Sequence, residues 1–91
     1  MELMWTSKTL SDVTRLYDFL AVANQPAAAQ TAQKLTAAPI MLLSNPRIGE
    51  RLEEFEPRDV RRIQIGSYEM RYEIVDSTIY LLRLWHTRED R

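Results

Sequence analysis

The sequence predicts an α+β domain in which an N-terminal strand and an αα-hairpin pack on a mainly antiparallel four-stranded sheet. Two features carry this expectation. The first half is rich in alanine and leucine at spacings of three and four, whereas the second half alternates polar and apolar residues as half-buried strands do. Charge divides the same way: residues 1–45 carry three basic and three acidic side chains, and residues 46–91 carry nine arginines and ten carboxylates. At 91 residues the chain is expected to form one domain over 1–91. A domain this short buries only about 60–65% of its unfolded surface, so a partner that covers apolar area should matter to its stability.

Taken in order, Glu2 to Trp5 read as a short strand, and Thr6 or Ser7 can cap the helix that follows. That helix is expected over about 7–23, with Leu10, Val13, Leu16, Tyr17 and Leu20 on its apolar face and Asp12, Arg15 and Asp18 pointing elsewhere. Asn24-Gln25-Pro26 is a stop followed by a start, because proline suits the first helical turn. The second helix should run back antiparallel with Ala28, Ala32, Leu35, Leu42 and Leu43 near one face. Pro39 predicts a kink or irregularity near Ala37–Ile40. Asn45-Pro46-Arg47-Ile48-Gly49 is turn chemistry, and Glu50 to Pro57 a charged loop anchored by Leu52 and Phe55. Three strands follow, Asp59–Ile65, Tyr68–Val75 and Thr78–His86, joined by the two-residue turns Gly66-Ser67 and Asp76-Ser77. Strict alternation along the last strand puts Leu81 and Trp85 on one face and Tyr80, Leu82 and Leu84 on the other. That is more apolar surface than one helical layer covers.

Composition excludes several chemistries. Without cysteine there is neither a disulfide nor a thiolate zinc site, and a single histidine builds no histidine-rich metal centre. A net charge of −1 argues against sequence-independent nucleic-acid binding, which needs a basic surface. Two glycines cannot make a phosphate-cradling loop, and no serine sits in an elbow motif, so no cofactor or metal is expected. No stretch of about 18 uncharged apolar residues exists, and the first residues lack a signal-peptide layout. The expectation is a cytoplasmic protein with no membrane partner.

The order of elements resembles the RelE/ParE superfamily, the toxins of bacterial type II toxin–antitoxin systems. The resemblance runs over nearly the whole chain. It is carried by Trp5-Thr6-Ser7 before a helix holding Asp12-Val13 and Leu16-Tyr17-Asp18-Phe19-Leu20, then by Asn45-Pro46-Arg47-Ile48-Gly49, by Tyr68-Glu69-Met70-Arg71-Tyr72-Glu73-Ile74, and by Leu82-Arg83-Leu84-Trp85-His86-Thr87-Arg88. It implies a growth inhibitor neutralised by a cognate antitoxin. Its target would be DNA gyrase in the ParE-like branch, or messenger RNA on the ribosome in the RelE-like branch. RelE-like nucleases need an acid–base pair and cations at the scissile phosphate. Where that branch often has an arginine three residues before the middle-strand tyrosine, this chain has Glu69 before Tyr72, and Thr87 follows His86. Both departures favour the ParE-like branch. An inactive family member serving as binder or co-repressor is the third reading.

No catalytic residue is favoured. The nuclease alternative would rest on Arg71, His86 and Arg88, since His86 is the one side chain that ordinarily titrates near neutrality. Candidates for binding the antitoxin or target are Arg58, Arg61, Arg62, Arg83, Trp85, His86 and Arg88. Of these, Arg58, Arg61 and Arg62 either blunt a sheet edge or receive an acidic tail, and Trp85 belongs to an apolar groove for the antitoxin or to a self-dimer. The Glu50–Glu56 loop reads as a solvated connection, with contact to a basic partner as the alternative.

Overall fold

The computed structural model describes residues 1–89. Strand β1 (Glu2–Trp5) leads into helix α1 (Ser7–Ala23), and α2 (Gln25–Ala37) returns against it. The Thr6 hydroxyl accepts the Thr9 N–H at 3.3 Å and caps α1. Asn24 ends α1 and starts α2: its own N–H donates to the Leu20 carbonyl, and its side chain accepts the Ala27 N–H at 3.0 Å. The connection is therefore as tight as Asn24-Gln25-Pro26 predicts. Helix α2 gives way at Ala37 to a 3-10 segment, Ala38–Leu43, with Pro39 in its first turn. The irregularity falls where the proline places it.

The sheet then forms from β2 (Glu50–Arg51), β3 (Asp59–Ile65), β4 (Tyr68–Val75) and β5 (Thr78–His86), in the order β1-β5-β4-β3-β2. Both tight turns of the meander open on a residue with positive φ, Gly66 at 60° and Asp76 at 53°, as two-residue hairpins require. All pairings are antiparallel except β1 against β5, which is parallel. The sheet has five strands where the sequence predicts four. The extra one, β2, is two charged residues opposite Arg61 and Arg62, too short for any alternation to mark it.

One face of the sheet lies under the helices. Leu16, Leu35, Leu42, Ile63, Ile65, Met70, Tyr72, Ile79, Leu81 and Leu84 form the core there. Tyr72 is wholly buried. Its hydroxyl accepts the Gly49 N–H at 2.9 Å and donates to the Pro46 carbonyl at 2.8 Å. Gly49 is required by this approach, because a Cβ would lie 2.6 Å from the Tyr72 hydroxyl and 2.7 Å from the Arg62 carbonyl. Burial raises the Tyr72 pKa despite the Gly49 N–H and the nearby Arg61, so the hydroxyl stays a donor.

Three expectations are corrected. On α1 the buried residues are Thr9, Asp12 and Leu16, while Leu10 is 52% exposed and Leu43 of the second segment is exposed too. The reason is that β1 stops opposite Leu81 and leaves the rest of β5 without a strand on that side. Helix α1 closes the gap with side chains spaced by three. Thr6 and Thr9 each donate to the Leu81 carbonyl at 2.6 Å, Asp12 accepts the Leu84 N–H at 2.9 Å, and Arg15 donates to the Leu84 carbonyl at 3.4 Å. Second, Tyr72 pairs with Leu81 but Arg71 with Arg83, so Leu82 is a bulge that inverts the alternation. Leu84 joins Leu81 in the core, and Trp85 turns to the other face. Third, that face is not left for a partner to cover at Trp85, which is only 3% exposed beneath the chain's own side chains.

Candidate functional site

Away from the helices, the sheet carries Arg62 of β3, Glu69, Arg71 and Glu73 of β4, and Arg83 and Trp85 of β5. The Arg71 guanidinium lies between two rings, 4.8 Å from the centre of Trp85 and 5.4 Å from that of Phe55, which the 3-10 turn Glu53–Phe55 brings over the sheet. Glu69 sits 3.8 Å from both Arg71 and Arg62, and Arg62 reaches Glu50 at 2.6 Å. Arg58 grips Glu73 through two bonds of 2.9 Å, whose hydrogen bond holds the Glu73 carboxyl below its ordinary pKa. Arg61 points the other way, to Asp59 and to the carbonyls of Arg47 and Gly49. Arg83 holds Asp12 through bonds of 2.8 and 3.2 Å. The basic run singled out in the sequence is thus engaged by the chain's own carboxylates and carbonyls.

His86 and Arg88 belong elsewhere. They line a cleft of about 520 Å³ between α1 and the end of the sheet, together with Arg15, Leu16, Phe19, Leu20, Tyr68 and Glu89. His86 meets Tyr68 edge-on, with ring centres 5.2 Å apart, and its Nδ1 accepts the Arg88 N–H at 3.1 Å. Burial, and secondarily the charge of Glu89, raises the Tyr68 pKa, so its ring end is neutral. Glu89 crosses the rim: its carboxylate accepts the His86 N–H at 2.7 Å and pairs with Arg15, and its own N–H donates to the His86 carbonyl at 2.9 Å. The walls are apolar. Phe19 is 76% exposed there, and Val22, one turn on, is 91% exposed.

The structure therefore brings His86 and Arg88 together, and places Arg71 on the opposite side of the sheet. Among the described residues no group of three His, Cys, Asp or Glu side chains is arranged to hold a metal, and no helix is long and apolar enough to cross a membrane.

The sequence matches, over residues 3–91, the family described as the ParE toxin of type II toxin-antitoxin system, parDE. The chain belongs to the ParE toxin family. Among solved structures this ParE family member is similar to a chain of the chromosomal ParDE toxin–antitoxin system from P. aeruginosa. The TM-score is 0.80 at 22% identity, with 94% of this chain and 95% of that chain covered, a likeness of fold. No curated protein sequence matches.

Sequence reasoning on this ParE family member missed Phe19, Leu20, Tyr68, Arg15 and Glu89 as a cleft. The signal was present but faint: Phe19 and Val22 fall off the predicted apolar stripe of α1, where large apolar residues serve no core.

Proposed function

We propose that this ParE family member is a growth-inhibiting toxin that acts in the cytoplasm by binding DNA gyrase and is neutralised by a cognate antitoxin. One observation carries the choice of a binder over a ribosome-dependent nuclease. The residues a nuclease would use do not converge, because Arg71 lies between Phe55 and Trp85 facing Glu69, while His86 and Arg88 line the cleft across the sheet. A scissile phosphate in reach of Arg71 would also meet the Glu69 carboxylate, where charge repulsion opposes binding. The family match and the ParDE fold support the antitoxin.

The test is a paired assay of the antitoxin-free protein: supercoiling and DNA cleavage by purified gyrase beside messenger cleavage in a translating extract. Gyrase inhibition with intact messenger is expected. Messenger cleavage with gyrase untouched would overturn the proposal. In that case His86→Ala should lower cleavage about 10²-fold.

A further inference from the structure

Beyond Leu81, β5 has β4 on one side but no strand on the other, and the backbone groups on that open edge are met from α1 and from the residues after the strand. At Leu84 these come from α1, through Asp12 and Arg15. At His86 they come from Glu89, which behaves as a strand would: its N–H donates to the His86 carbonyl and its carboxylate accepts the His86 N–H. Glu89 thereby occupies both edge groups of one residue. Its carboxylate also meets Arg15, and Arg88, exposed on the same rim, has no carboxylate partner among the described residues. Beside this edge lies the cleft walled by Leu16, Phe19, Leu20 and Tyr68, within the size range of pockets that bury a ligand's apolar body.

We propose that this cleft and the edge of β5 at Leu84–His86 form a docking site for an extended partner segment that carries one bulky apolar side chain and a nearby acidic residue, with Glu89 as the built-in occupant it displaces. The proposal deepens the toxin–antitoxin reading, since the antitoxin is the partner that would supply the segment. The apolar side chain enters between Phe19 and Tyr68. The acidic group takes over Arg15 and reaches Arg88, and backbone groups replace Glu89 on His86, in the manner of a peptide added to a sheet edge. Charge selects the segment: a lysine there would face two arginines.

Displacement makes an unusual demand on Glu89. A residue that merely supports the fold weakens binding when removed, whereas a competitor strengthens it. The probe is an array of blocked nonapeptides on a threonine–serine–valine background, with one leucine or phenylalanine and one glutamate at every relative spacing, read by fluorescence anisotropy against the full chain. Peptides carrying both features should bind, and those with lysine for glutamate should bind at least about tenfold less well. Glu89→Ala should tighten the selected peptides by about fivefold, Glu89→Gln by less, and Phe19→Asp, at an exposed position, should abolish them. His86 should become slower in amide hydrogen exchange in the complex. Indifference to glutamate, or a Glu89→Ala variant that binds no more tightly, overturns the proposal. With the cognate antitoxin, equal binding to the wild type and Phe19→Asp also overturns it while leaving the toxin–antitoxin reading intact. Peptide selection with no antitoxin binding supports the docking site and removes that reading.

Discussion

Replacing Asp12 by alanine measures how far the fold depends on a helix side chain standing in for a missing strand. The carboxylate is buried and accepts the Leu84 N–H at 2.9 Å and two bonds from Arg83, with Arg15 3.5 Å away. Arg83 is 47% exposed on its side chain and rehydrates when released, so its loss is worth about 0.5–1 kcal/mol. The Leu84 amide is buried and gains no new partner, which costs about 1–3 kcal/mol. Asp12→Ala should therefore destabilise by about 2–3 kcal/mol, or lower Tm by about 10–20 °C for a domain of this size. Asp12→Asn keeps an acceptor for Leu84 and should cost about 1 kcal/mol. Burial works to raise the Asp12 pKa, but the Arg83 hydrogen bond, the Leu84 N–H and the charges of Arg83 and Arg15 outweigh it and hold it below the ordinary carboxylate value. As pH falls, the unfolded chain takes up the proton first. The charge-linked stability is therefore complete above about pH 4 and is lost as pH drops through the folded value. Urea unfolding followed by circular dichroism at pH 7 and pH 3 checks both statements, and the gap between wild type and Asp12→Asn should shrink in acid. An Asp12→Ala cost no larger than that of Arg83→Ala would refute the argument, because the Leu84 amide would then owe nothing to Asp12.

Other substitutions probe other joints. Tyr72→Phe leaves the Gly49 N–H and the Pro46 carbonyl unmatched and should cost about 2 kcal/mol in the same unfolding assay. Gly49→Ala should cost about 1–3 kcal/mol, since the added Cβ meets the Arg62 backbone and the Tyr72 hydroxyl; a melt unchanged within a degree would contradict that contact. Arg71→Lys keeps the charge but loses the guanidinium's contacts with the Phe55 and Trp85 rings, so stability should fall by about 1 kcal/mol in a thermal melt. A shift in tryptophan emission should accompany it.

Much of the architecture was legible because hydrophobic period and turn chemistry are local signals. The αα-hairpin, the Pro39 break and the three meander strands all fall where Asn24, Pro39, Gly66 and Asp76 put them. What escaped was set by partners distant in sequence. Asp12 reads as a solvent-facing helix residue until one knows that Leu84 lacks a strand on the side away from β4. Trp85 reads as sharing a face with Leu81 until the bulge at Leu82 inverts the strand, and no residue type announces a bulge. The candidate cleft escaped for the same reason. Its walls come from α1, β4 and the segment after β5, and only His86 and Arg88 carried a chemical flag in the sequence.

The parallel pairing of β1 with β5 bears on when the fold can close during synthesis. Leu3 finds its partner Ile79, and Thr6 and Thr9 find Leu81, across more than seventy intervening residues. A nascent chain lacking residues 78–86 has an N-terminal strand with nothing to pair against and a helix whose buried hydroxyls and carboxylate have no backbone to meet. Pairings between residues this far apart in sequence slow folding, because the intervening chain must be closed into a loop first. The translated protein therefore closes this side of its sheet only once residues 78–86 have been delivered, and truncation before residue 78 leaves β1, Thr6, Thr9 and Asp12 without the partners they have in the full chain.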